Sequence, residues 1–130
     1  MNNRLGIIQR EVIPDKPNYN MNLLLSTLTP SVIVPQPDKY YVFIYKAKTP
    51  GIMYDTNPFV SVTTLWKWGF IGYNFHWNEH RRYSWAEVQT NLYEIYDEEL
   101  NIMENFPIAK SYTVTNGHIK ISNRFKPSRH

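Results

Sequence analysis

Five residues, His76-Trp77-Asn78-Glu79-His80, carry the H-x-x-E-H spacing of inverted zinc peptidases. That chemistry sets two imidazoles on one face of a helix, one turn apart, with the glutamate as general base. Here His76 ends a strand-like run and Asn78 is a turn former, so the required helix is not expected. A third ligand would have to come from Glu94 or Asp97. His76, Glu79 and His80 remain the only metal candidates, and the stretch reads as a loop with exposed polar groups. Asp55, beside Tyr54 and before Asn57-Pro58, has the type of a catalytic carboxylate. It is expected instead to accept backbone N–H bonds inside its own turn. The run Asp97-Glu98-Glu99 lacks both the spacing and the glycine of a calcium loop and reads as a solvated helix end. No phosphate-binding glycine loop and no G-x-S-x-G elbow occurs. Neither a cofactor nor an enzymatic activity is expected.

A second pattern mixes cations with rings. Arg81-Arg82-Tyr83, the pair Lys46 and Lys48, and Arg124, Lys126 and Arg129 of the C-terminal end combine the two residue types that single-strand nucleic-acid binders use. A small β-barrel is a familiar platform for such binding. Against it, the net charge is only +3, and most rings are needed for a core.

The elements that must position these residues centre on Tyr54–Trp77, which holds eight Trp, Tyr and Phe residues. Tyr40–Lys48 reads as a strand closed by a turn at Thr49-Pro50-Gly51. Phe59–Trp66 is a second strand. Phe70–Trp77 is a third, with Ile71, Tyr73, Phe75 and Trp77 on one face and a bend or close backbone approach at Gly69 and Gly72. Ser84-Trp85-Ala86-Glu87 has the form of a capping box, and Trp85, Val88, Leu92 and Ile95 follow at helical spacing, predicting one packed helix near 85–96. A shorter helix is expected over Glu98–Asn105. Asn116-Gly117 predicts a C-terminal hairpin pairing Val114 with Ile119 and Tyr112 with Ile121.

Ahead of this core, five prolines between Pro14 and Pro37 break up residues 1–38. With apolar islands at Leu23–Leu25 and Val32–Val34, the segment reads as an extended arm that needs a surface to lie on. Tyr83–Ala109 holds six acids and no Lys or Arg, and Lys110–His130 five bases and no acid, a polarity suited to packing against neighbours. The chain has no cysteine, so disulfides and thiolate chemistry are excluded. No secretory signal is visible, and no apolar run approaches the roughly 20 residues of a membrane helix.

At YDTNPFVSV and WGFIGYNFHW the sequence resembles a group of small proteins from contractile-tailed bacteriophages, especially those of marine and cyanobacterial hosts. In that group a strand ending in a Pro/Gly turn leads to a Tyr-Asp-x-x-Pro-hydrophobic-Val segment. A Gly-Phe-x-Gly-x-Asn-Phe/Leu-His segment follows, and then a helix. The matching residues are Thr49-Pro50-Gly51, Tyr54-Asp55, Pro58-Phe59-Val60, Gly69-Phe70, Gly72 and Asn74-Phe75-His76, and the likeness covers about Tyr40 to Ala109. The resemblance implies a virion structural protein of the tail, baseplate or neck, without enzyme activity, in a symmetric assembly with other virion proteins. The expected fold is mainly β (α+β): a small SH3-like barrel or strongly bent antiparallel sheet with one packed helix. Its expected parts are an N-terminal arm over 1–38, a core over 39–123 and a basic tail over 124–130. Tyr19, Leu24, Ile33 and Trp68 are the expected interface residues, and Trp85 and Phe75 the expected core rings.

Overall fold

Aromatic and β-branched residues dominate both halves of the central stretch, and they pair as a hairpin of two strands, β2 (Phe59–Leu65) and β3 (Gly69–Asn74). Around it the computed structural model describes residues 5–49, 51–104, 106–109, 112–115 and 118–121, with backbone only at 7–9, 107 and both final strands. With β1 (Tyr40–Val42), β4 (Glu79–Ser84) and β5 (Tyr93–Ile95), the hairpin builds an antiparallel sheet in the order β4-β3-β2-β1-β5. The register shifts between Val62 and Thr64, where the Thr63 hydroxyl donates to the Ile71 carbonyl at 3.0 Å. At Gly69 a side chain would run into the Tyr83 carbonyl, so glycine is required for β3 and β4 to approach.

Successive strand residues point to opposite faces, and here both faces are apolar. Val42, Phe59, Tyr73 and Ile95 pack on one side. Tyr41, Phe43, Val60 and Phe70 pack on the other. The first side is covered by Leu5 and Val12, which flank α1 (Gly6–Glu11), by α2 (Pro17–Thr27) and, beyond a one-turn helix α3 (Met53–Thr56), by α4 (Leu100–Met103). The second is covered more thinly, by Val32, Tyr45, Trp85, Val88 and Leu92. No helix among the described residues is long and apolar enough to cross a membrane.

The architecture is therefore mixed α+β, and it departs from the expectation in three places. The sheet is open: β4 and β5 end the strand order and do not pair with each other, so no SH3-like barrel forms. Residues 5–28 and 100–109 cover one face and Val32, Tyr45 and residues 85–92 the other, so the core strands are buried without closure.

Residues 5–28 are not an extended arm. Pro17 occupies the first turn of α2, where its missing N–H costs nothing, and the prolines bound the helices instead of preventing them. Met21, Leu24 and Leu28 fall on one helical face and join Leu5 in the core. Leu24 is 0% exposed and is thus no interface residue. The Asn20 side chain clamps the corner between α1 and α2, accepting from the Ile13 N–H at 3.0 Å and donating to its carbonyl at 2.9 Å.

The helix near 85–96 is absent. Only a 3₁₀ turn, Trp85–Glu87, forms, and the Ser84 hydroxyl meets the Glu87 carboxylate at 2.7 Å in place of a backbone N–H. Val88 bridges to Tyr45, the Gln89 N–H donates to the Ile44 carbonyl at 2.8 Å, and β5 pairs with β1. The chain that continues β1 needs backbone partners, and this segment supplies them. The regular strand expected over Tyr40–Lys48 correspondingly shortens to β1. The short helix expected after Glu98 is present as a 3₁₀ turn, Asp97–Glu99, running into α4. The final strands β6 (Tyr112–Thr115) and β7 (His118–Ile121) pair in the expected register. Their Asn116-Gly117 turn and residues 124–130 lie outside the described residues.

Two substitutions test this packing. Leu24→Ala should lower the unfolding free energy by about 2–5 kcal/mol, through reduced burial and the cavity left behind. Gly69→Ala should cost about 1–3 kcal/mol or more, because β4 must shift. Urea unfolding followed by tryptophan fluorescence measures both, and an unchanged midpoint in Leu24→Ala would mean that α2 does not belong to the core.

Candidate functional site

Asn74 is a polar residue in an otherwise apolar strand, and it organises the turn that follows. Its side-chain oxygen accepts the His76 and Trp77 backbone N–H groups at 2.9 and 3.0 Å, and its amide donates to the Tyr83 hydroxyl at 2.9 Å. The turn closes at Asn78, whose positive φ of 60° suits asparagine and whose N–H returns to the Asn74 carbonyl. Tyr73 donates its hydroxyl proton to the Asn78 side chain.

This turn decides the fate of the H-x-x-E-H pattern. His76 stands in the turn with its ring stacked 3.5 Å from that of Tyr54, whereas Glu79 and His80 belong to β4. The two imidazoles share no helical face, so the peptidase geometry is not formed. No cluster of three metal-ligating His, Asp or Glu residues occurs among the described residues. Asp55 is not a self-contained turn residue either. Its carboxylate accepts the Trp77 indole N–H at 2.8 Å, takes the Thr49 hydroxyl and pairs with Arg81 at 3.7 Å. It ties α3, the turn after β3 and β4 together.

Around these groups opens a cleft of about 480 Å³. Lys46, Lys48, Arg81 and Arg82 all line it, so the fold brings together every described member of the basic set singled out in the sequence. Arg124, Lys126 and Arg129 lie outside the described residues. Asp55 and Glu87 are the acids of the lining, which leaves four cations against two carboxylates. Arg81 is fixed between Glu79, at 2.7 Å, and the Trp77 ring, whose centroid is 4.9 Å away. Arg82 covers the Trp68 ring at 4.3 Å. Asn74 and Tyr83, both buried, form the floor. Glu87 is held below the usual carboxylate range by hydrogen bonds from Ser84 and Tyr45.

Of the expected interface residues, Tyr19, Ile33 and Trp68 are exposed. Phe75 is buried as expected, and Trp85 only partly so. The sequence analysis named Tyr83 only as a ring beside Arg81 and Arg82, and Asn74 only within the resemblance; their buried hydrogen bond was not expected, although a lone asparagine within GFIGYNF is the kind of signal that marks a buried hydrogen-bonding hub. Chemically, the arrangement offers ammonium and hydroxyl donors to an anion beside an aromatic wall. Comparison with protein-family models, curated proteins and solved structures finds no match for this chain.

The buried rings set an alkaline limit on stability. Burial pushes the Tyr73 hydroxyl up to about 12 and raises Tyr83 as well. Unfolded tyrosines ionise near 10, so between pH 10 and 12 the unfolded chain loses protons that the folded one keeps. Stability should hold below pH 10 and fall as pH rises toward 12. In a phenolate absorbance titration, Tyr73→Phe should remove one of the last groups to ionise.

Proposed function

We propose that this chain is a non-enzymatic structural subunit of a bacteriophage particle, of the tail, baseplate or neck. It would hold its neighbours through a surface strip, not through extended arms. One observation carries the contact mode: Ile33 and Val34 are 73% and 63% exposed and share a groove with Trp85. Trp85 in turn donates its backbone N–H to the Trp68 carbonyl and its indole N–H to the Trp66 carbonyl. Trp66, 50% exposed, stacks in parallel with Trp68. Exposed apolar side chains thus run from the 31–37 segment across Trp85 to the β2–β3 turn. Contiguous apolar surface of this kind marks contact sites, and tryptophan is enriched among the residues that dominate them. The phage assignment is supported by the resemblance at Tyr54-Asp55, Pro58–Val60 and Gly69–His76.

The cleft favours a second reading, contact with nucleic acid, because it gathers Lys46, Lys48, Arg81 and Arg82 beside exposed rings.

The assembly reading is tested with Ile33→Asp combined with Trp66→Ala. Both are surface changes, expected to alter stability by about 0.5 kcal/mol each or less. The folded variant should fail to enter particles when it is the sole copy of the chain during infection, as read by mass spectrometry of purified heads and tails. Normal incorporation would overturn the strip as the contact surface, and absence of the parent chain from every particle fraction would overturn the virion assignment.

A further inference from the structure

Resting on the second of these readings, we infer that the cleft is a subsite for single-stranded nucleic acid, with Lys46, Lys48 and the Tyr83 hydroxyl taking a phosphate and Trp77 taking the adjoining base. The Tyr83 hydroxyl is the sharpest indication. The orientation of the Asn74 amide is set by the two backbone N–H groups on its oxygen, so its nitrogen must face Tyr83 and the hydroxyl must accept. The hydroxyl's own proton has no acceptor among the described residues, although Tyr83 is only 4% exposed and lines the cleft. A buried donor without a partner costs free energy unless something supplies an acceptor. Since no described residue supplies that acceptor, a ligand entering the cleft can.

The cations state the ligand's charge. Lys46 and Lys48 make no ion pair among the described residues, while Arg81 is already held by Asp55 and Glu79. Both ammonium groups lie within electrostatic reach of the Glu87 carboxylate, so two cations face one acid, and the positive excess beside a neutral hydroxyl donor suits an anion with several oxygens, as a phosphodiester has. The wall states the rest. Trp77 is fixed by its N–H bond to Asp55 and by the edge of Tyr54, yet remains 38% exposed. Arg81 occupies part of its ring surface. A fixed, part-open indole next to a phosphate-binding group is how proteins stack an unpaired base. A base in a duplex would first have to be unpaired and unstacked to reach it, a cost that a single strand does not bear, so single strands are the favoured ligand. The cleft, about 480 Å³, falls within the usual size range of small-ligand sites and accommodates one nucleotide at a time.

The test uses the full chain and fluorescein-labelled oligo(dT) or oligo(rU) of about twelve nucleotides, read by anisotropy as salt is raised. The parent should bind at low salt. Lys46→Ala with Lys48→Ala should weaken binding about tenfold or more and flatten the salt slope by about 0.7, for the one phosphate no longer neutralised. Trp77→Ala should weaken it about fivefold to a hundredfold. Tyr83→Phe should weaken it about tenfold. The lysines are exposed, so the double variant decides the matter even if Tyr83→Phe does not fold. Parent-like binding by the lysine and Trp77 variants would overturn the cleft subsite while leaving nucleic-acid binding elsewhere on the chain. No binding of either oligonucleotide at low salt would overturn both.

Discussion

Tyr41, Val42 and Phe43 point alternately to the two faces of the sheet, and all three are fully buried. A strand that is apolar on both sides must sit in the middle of a three-layer structure, because either face left open would expose several large side chains, at about 1.5–3 kcal/mol each. The five-stranded sheet meets this constraint by drawing its cover from distant parts of the chain. Residues 5–28 and 100–109 close one face, and Val32 with residues 85–92 closes the other. The open sheet, the packed N-terminal helices and the partial burial of Trp85 all follow from it.

The same constraint places the cleft. Asn74 and Tyr83 stand where β3 and β4 run past the thinner cover, so the second layer ends beside a buried amide and hydroxyl. The edge strand β4 then brings Arg81 and Arg82 to that point, and the chain leaving β1 brings Lys46 and Lys48 from the other side. Asp55 joins the two through Thr49, Trp77 and Arg81. Charges near an edge strand also discourage unwanted strand pairing, so Arg81 and Arg82 serve the fold whatever the cleft holds.

Exposure of apolar side chains follows a different logic. Ile33, Val34, Trp66 and Trp68 flank Trp85, which is itself a cover residue. The second face is thus capped by a layer one side chain thick, whose outer surface is still apolar. An additional chain laid there would complete a layer that this chain leaves incomplete.

Three of the five strands of the main sheet, β1 to β3, and the separate C-terminal hairpin were legible, whereas β4 begins in a stretch read as a loop and β5 lies in one read as a helix. The alternation in FIGYNF, the close approach at Gly69 and the pairing of 112–115 with 118–121 all follow from strand periodicity and turn chemistry, which act between near neighbours. Proximity of the four cleft cations was not legible, because 33 positions separate Lys48 from Arg81 in the sequence and no local rule relates them. Two misreadings have one cause. Trp85, Val88, Leu92 and Ile95 fit a helical stripe, and prolines 14 to 37 fit an extended arm, but both patterns describe what a segment does alone. The sequence by itself determined the C-terminal hairpin, the close approach at Gly69 and the supply of large apolar residues, because these depend on residue type and on conformational preferences a few residues apart. Only the tertiary structure decided that the chain from Val88 to Ile95 would lie along β1 and its continuation and that residues 5–28 would coil into its cover. A doubly apolar sheet gains more by being enclosed than either segment gains from its local preference.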